Sequence, residues 1–222
     1  MEAKELSFFG QIAASVTHEL KNVLAIINES NGLIADILSL TKEGTFPHRE
    51  KLQCSVKKIE EQVQRGVEIT STFNRFAHST EYPCVNMDLN LILTQTVSLA
   101  QRFAALRNVE LKGVVSERPI MLFVNAFRVQ MALTRAIEAF IRCMSGTGSI
   151  TIIGKADPRF QGLCFTFGGE SSTKPTKGTV EELAEWKEFE QLAPALDMCY
   201  SWSGQGFEVL FAGADSFEQA PG

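Results

Sequence analysis

The stretch VTHELKNVLAII, residues 16–27, sits inside a run from Glu5 to about Thr41 that contains no proline. Apolar residues fall at helical spacing along this run: Phe9, Ile12, Val16, Leu20, Val23, Ile27, Ile34 and then Ile37 or Leu38. The spacing predicts one long helix. In Lys42-Glu-Gly-Thr-Phe-Pro-His48, glycine and proline together stop helical propagation. A second helix is predicted from near Arg49 to a stop by Pro83. Its repeat, Leu52, Val56, Ile59, Val63, Gly66, Thr70, Phe73 and Ala77, steps by four and three as a heptad seam does.

Two antiparallel helices of about 30 residues or more, each roughly 45 Å long at ~1.5 Å per residue, share one seam and leave much apolar surface over. Pairing with a second copy into a four-helix bundle covers it, so the hairpin predicts a homodimer.

The chain is 45% hydrophobic and has a formal net charge of −5. Its mean hydropathy is near zero and its pI is near 5.4. These values describe a globular protein with a real core and no basic footprint for duplex nucleic acid. Cys54, Cys84, Cys143, Cys164 and Cys199 lie far apart without a C-x-x-C pair, so neither a zinc site nor a disulfide framework is expected. The first residues lack a signal-peptide pattern, and no apolar run reaches the ~18 residues of a membrane span. The expected location is cytoplasmic, and the expected partner is another protein.

After Tyr82-Pro83 the pattern changes, which divides the chain into residues 1–82, a helical hairpin, and 83–222, a second domain. Here Val85 to Asp88 reads as a short strand, Leu89 to Leu106 as an amphipathic helix, and Val109 to Val115 and Pro119 to Val124 as strands. A strongly apolar helix follows from Ala126 to Cys143. Past the turn Ser145-Gly-Thr-Gly148, strands Ser149 to Lys155 and Gly162 to Phe167 form a hairpin. A loop over Gly168 to Gly178 leads to a helix from Thr179 to about Leu192 and a shorter one around Ala193 to Tyr200. The strand Phe207 to Phe211 closes the domain. The fold class is therefore an α-helical hairpin followed by an α/β sandwich with helices on one face of a mixed sheet.

Of the three histidines, His48 falls in the hairpin loop and His78 near the end of the second helix. His18 lies mid-helix, beside Glu19 and one turn before Asn22. An imidazole attacks phosphorus only when it is neutral and aimed, and the free ring, with a pKa of about 6.5, is readily neutral. Glu19 can accept the ring's other proton or hold the nucleophilic tautomer. Asn22, at i+4, can position a phosphoryl group or a water.

His18-Glu19-Leu20-Lys21-Asn22 resembles the H-box of sensor histidine kinases, with Val23 where that motif usually carries a proline. Arg65-Gly-Val-Glu-Ile through Phe76 resembles the family's second bundle helix, and Val85-Asn-Met-Asp-Leu-Asn90 the opening of its ATPase domain. The resemblance implies that His18 is the phosphoacceptor, with Glu19, Lys21 and Asn22 in support.

It also implies a nucleotide site, and there the chain departs. Val124 to Ala139 aligns with the family's N-box helix, but Met131 and Arg135 replace its two asparagines. The second of those asparagines ligates magnesium, and a guanidinium has no acceptor with which to do so. At the family's D-x-G-x-G motif the chain has Phe165-Thr-Phe-Gly-Gly169, so Phe167, Gly168 and Gly169 supply no carboxylate for an adenine. Lys174 and Lys177 stand in a loop without the glycine pattern that cradles phosphates. These departures imply a histidine phosphotransferase that uses no ATP and takes magnesium from its partner. The partners implied are response-regulator receiver domains and a hybrid histidine kinase. The lack of a sensor segment before residue 5 reads as a relay component. Two alternatives stand beside this one: a divergent kinase or phospho-aspartate phosphatase, and a non-catalytic module that binds receivers or kinases.

Overall fold

The computed structural model describes residues 2–40, 48–144, 147–157, 160–169, 174–203 and 206–211. The expected loop after Thr41, the turn at Ser145-Gly-Thr-Gly148 and the loop after Gly168 lie wholly or partly outside these residues.

Helix α1 runs unbroken over Ala3–Leu40, and α2 over Arg49–His78. The chain divides into two compact units, Met1–Arg75 and Phe76–Gly222. Phe76 falls in the second because its ring lies 5.5 Å from that of Phe127.

Within the first unit, Val23 is buried at the place where the resembled motif has proline. Its backbone N–H is retained, so nothing forces a kink there. A Cβ built on Gly66 of α2 would lie 3.4 Å from Val23 Cγ1, which makes this a close crossing of the two helices. The expected seam on α2 is only partly covered. Ile59 and Gly66 are half-buried, whereas Val56 and Val63 are 47% and 50% exposed. The cause is that α2 carries two adjacent stripes and α1 can cover only one. The other stripe opens onto a groove lined by Leu20, Leu24 and Ile27 with Val63, Val67 and Thr70, and further along by Ile34, Leu38, Leu52 and Val56.

By length and composition α1 is long and apolar enough to cross a membrane, which corrects the expectation that no stretch reaches that mark. The expectation counts continuous apolar runs, whereas the apolar residues of α1 are interspersed with polar ones. Every 18-residue stretch of it includes Glu19 or Glu29.

The second unit is an α/β sandwich. Strand β1 (Val85–Asp88) pairs antiparallel with β3 (Met121–Val124) in a two-stranded ribbon. The main sheet has the order β2-β4-β5-β7-β6, from β2 (Val109–Val114), β4 (Gly148–Asp157), β5 (Phe160–Gly168), β6 (Met198–Ser203) and β7 (Gly206–Phe211). It is mixed, because β2 runs parallel to β4 while the other neighbours are antiparallel. Helices α3 (Leu89–Ala105) and α4 (Ala126–Cys143) share one apolar core with the sheet. Asp88 caps α3 and also accepts from the Ile120 N–H at 3.0 Å, which ties the ribbon to the helix start. Phe140 sits at the centre of this core. Its ring lies 5.0–5.8 Å from those of Phe165, Phe167, Trp186, Trp202 and Phe207.

Two expected elements differ. The helix read as Thr179 to Leu192 is two helices, α5 (Lys177–Glu181) and α6 (Ala184–Leu192). In one continuous helix Val180 and Phe189 would point to opposite sides, at ~100° per residue. The extended backbone at Leu183 re-phases the chain, and Val180, Trp186 and Phe189 are all fully buried. The helix read around Ala193 to Tyr200 is a short 3-10 turn, Pro194–Leu196, followed by strand β6. Asp197 adopts the left-handed region at φ 52°, which ends the helix and starts the edge strand.

Candidate functional site

His18 is exposed on α1, with four turns of helix before it and six after it. Its ring Nδ1 lies 3.4 Å from Asn22 Nδ2. An i, i+4 pair on a straight helix places the two side chains one above the other, which is why the spacing produces this contact. As placed, the amide N–H donates to Nδ1 and the ring proton is on Nε2; with the amide turned so that Oδ1 faces the ring, Asn22 accepts from Nδ1–H and the lone pair stands on Nε2. Lys21 is exposed on the same turn, and Glu19 is half-buried toward α2. There Glu19 Oε2 faces Arg65 Nη2 at 4.0 Å. The structure thus brings Asn22 against His18 and turns Glu19 to Arg65 of α2. Sequence reasoning met Arg65 only as part of a helix motif and gave it no task.

The stripe of α1 that holds His18 and Asn22 continues through Glu29, Gly32 and Asp36. These later residues line a second, polar groove with Lys51, Cys54, Ser55 and Lys58 of α2. The apolar stripe of Leu20, Leu24, Ile27, Ile34 and Leu38 lies about half a turn away around the helix. The histidine and the open apolar groove therefore occupy opposite sides of α1.

In the second unit, Met131 is 1% exposed and packs in the core with no ligating oxygen. Arg135, also buried, is engaged by two carboxylates: Nη1 lies 2.6 Å from Glu138 Oε2, and Nε 2.7 Å from Glu188 Oε2 of α6. A guanidinium held in this way cannot ligate magnesium. Phe167 lies edge-on to Phe140 and stacks on Trp202 at 6.5 Å, so an aromatic ring stands where the resembled motif has its carboxylate. Gly168 ends β5, and Gly169 has a φ of 120°. Lys174 is exposed, and Lys177 pairs with Glu181 at 3.7 Å. These residues do not fit a magnesium-bound nucleotide of the usual kind. Among the described residues no group of three or more His, Cys, Asp or Glu side chains is placed to hold a metal ion.

Several solved structures are similar to this chain. The Acinetobacter baumannii histidine kinase AdeS is 13% identical, covering 87% of this chain and 96% of its own, with a TM-score of 0.44. A bacterial phosphotransferase is 11% identical, covering 94% and 96%, with a TM-score of 0.45. Histidine kinase ThkA, solved in complex with response regulator protein TrrA, is 13% identical, covering 94% and 62%, with a TM-score of 0.43. No protein-family model matches the chain, and no curated protein sequence matches it.

Proposed function

We propose that this chain is a cytoplasmic histidine phosphotransferase that exchanges a phosphoryl group between His18 and the aspartate of response-regulator receiver domains, without using ATP. The observation that carries the reading is the exposed His18 ring with the Asn22 amide 3.4 Å from Nδ1. In the forward direction the Nε2 lone pair attacks the phosphorus of an aspartyl phosphate. The Nε2–P bond forms as the aspartyl O–P bond breaks, and the carboxylate leaves with the electron pair. The ring is left cationic, with its proton on Nδ1 against Asn22, and Glu19 is the nearby carboxylate that can accept it through water. The same steps reversed return phosphate to a receiver. Magnesium belongs to the receiver's own acidic pocket.

In this reading the apolar groove seats a second copy, giving a homodimeric four-helix bundle with His18 on its outer surface. Leu24, Val56, Val63 and Val67 are each 47–63% exposed in the single chain, which supports a partner there. The ion-paired Arg135 and buried Met131 support the absence of ATP use, and a hybrid histidine kinase is the expected source of phosphorylated receiver.

Asn22 favours one second reading, a phospho-aspartate phosphatase, because the same amide can orient a water for attack on the receiver's phosphate. The test is to incubate the protein separately with γ-labelled ATP and with a phosphorylated receiver from the same cell. Acid-labile label on His18 from the receiver alone is the expected result. Label from ATP overturns the reading of the nucleotide site. Loss of receiver phosphate with no label on His18 favours the phosphatase.

A further inference from the structure

We infer that Arg65 is a positioning residue for phosphotransfer at His18, acting through Glu19; the inference rests on the phosphotransferase reading. Glu19 follows His18 by about 100° around α1, so its carboxylate has two places to go: toward α2, or out over the histidine. The side chain is 22% exposed and points toward α2, where Arg65 Nη2 lies 4.0 Å away. The approach of the two helices is set one turn further along. There Gly66, the neighbour of Arg65, carries no side chain, and Val23, one turn after Glu19, fills the space against it.

The chemistry needs this pairing. An incoming aspartyl phosphate and the phosphoryl group on His18 are both anionic, and a bare carboxylate on the adjacent residue repels them. Arg65 offsets that charge and draws the carboxylate aside, while Glu19 remains close enough to serve the ring's proton through water. The guanidinium is 56% exposed, so the effect is of the modest size seen for solvent-accessible pairs.

The experiment is a double-mutant cycle on the rate of phosphate transfer from a phosphorylated receiver, using Arg65→Gln, Glu19→Gln and both together. Circular dichroism and sedimentation are run on each variant to confirm an intact fold and dimer. Arg65→Gln is expected to slow transfer about two- to fivefold at low salt, with the difference shrinking as ionic strength rises. Arg65→Lys should restore most of the rate. In the Glu19→Gln background, which has no carboxylate to offset, Arg65→Gln should have almost no effect. A slowing of equal size in both backgrounds, or wild-type rates for Arg65→Gln, overturns the inference and leaves the phosphotransferase reading standing. A wild-type protein that takes no label from the receiver overturns the phosphotransferase reading, and the role of Arg65 falls with it.

Discussion

Asn22 and His18 stand one helical turn apart on the exposed face of α1, with the amide nitrogen 3.4 Å from the ring Nδ1. In the phosphotransferase reading, with the amide turned so that Oδ1 accepts from Nδ1–H, this contact leaves Nε2 as the reacting nitrogen. Asn22→Ala should therefore keep the helix and the dimer but lower the rate of transfer about fivefold, the size of a ~1 kcal/mol hydrogen bond. His18→Ala should abolish labelling. Stopped-time phosphotransfer assays with a phosphorylated receiver measure both. An Asn22→Ala protein that transfers at the wild-type rate would mean that the amide orients nothing.

The opposite side of the hairpin makes a different prediction. Leu24 and Val63 line the open apolar groove, while Leu33 lines the polar groove on the side of His18. Leu24→Lys and Val63→Lys should each give monomers in sedimentation equilibrium, because a buried unpaired ammonium costs several kcal/mol at an interface. Leu33→Lys, from a residue 48% exposed, should leave the dimer intact. If all three variants remain dimeric, the second copy is seated elsewhere.

How much of this was legible in the sequence depended on whether local pattern or tertiary context decided each element. The long helices, the core helix Ala126–Cys143 and the strand pair around Cys164 follow from periodicity and were read nearly to the residue. The break at Leu183 was not, because it exists to bring Val180, Trp186 and Phe189 into one core, and no glycine or proline marks it. Strand β6 was missed for a related reason. Its β-forming Cys-Tyr-Ser-Trp run is short, and it is a strand because β7 offers an edge to pair with. In the site, His18, Glu19 and Asn22 share one helix and one motif. Arg65 reaches Glu19 across the hairpin, from 46 residues further along the chain. The Glu188 that meets Arg135 is likewise on another helix, and sequence spacing carries no sign of it.

The Arg135 cluster bears on stability. Glu138 and Arg135 have side chains about one-tenth exposed, and Glu188 is one-third exposed. Arg135→Met leaves two carboxylates facing one another in a partly dry site and should destabilise the α/β unit by about 2–4 kcal/mol. Removing all three charges together, as Arg135→Met with Glu138→Leu and Glu188→Leu, should recover most of that loss. Thermal or urea unfolding followed by tryptophan fluorescence reads both, since Trp186 is fully buried on α6. A single variant as stable as wild type would show that the guanidinium contributes nothing to joining α4 and α6.

The five cysteines separate by environment, and their reactivity tests the fold without any partner. Cys54, Cys84 and Cys199 are exposed, Cys143 is half-buried and Cys164 is buried. Burial pushes the thiols of Cys143 and Cys164 up, because the thiolate is the charged form and loses its hydration inside the protein. A hydrogen bond from Thr179 and the charge of Arg142 pull Cys143 back only in part, as Lys155 does Cys164. Only the thiolate attacks a disulfide reagent, so a raised value means a smaller reactive fraction at any pH below it. At pH 8 three thiols should therefore react quickly and two slowly. The two slow rates should climb as the pH is raised, and in denaturant all five should react together. Rapid reaction of Cys164 in native buffer would mean that its side chain is not buried on strand β5.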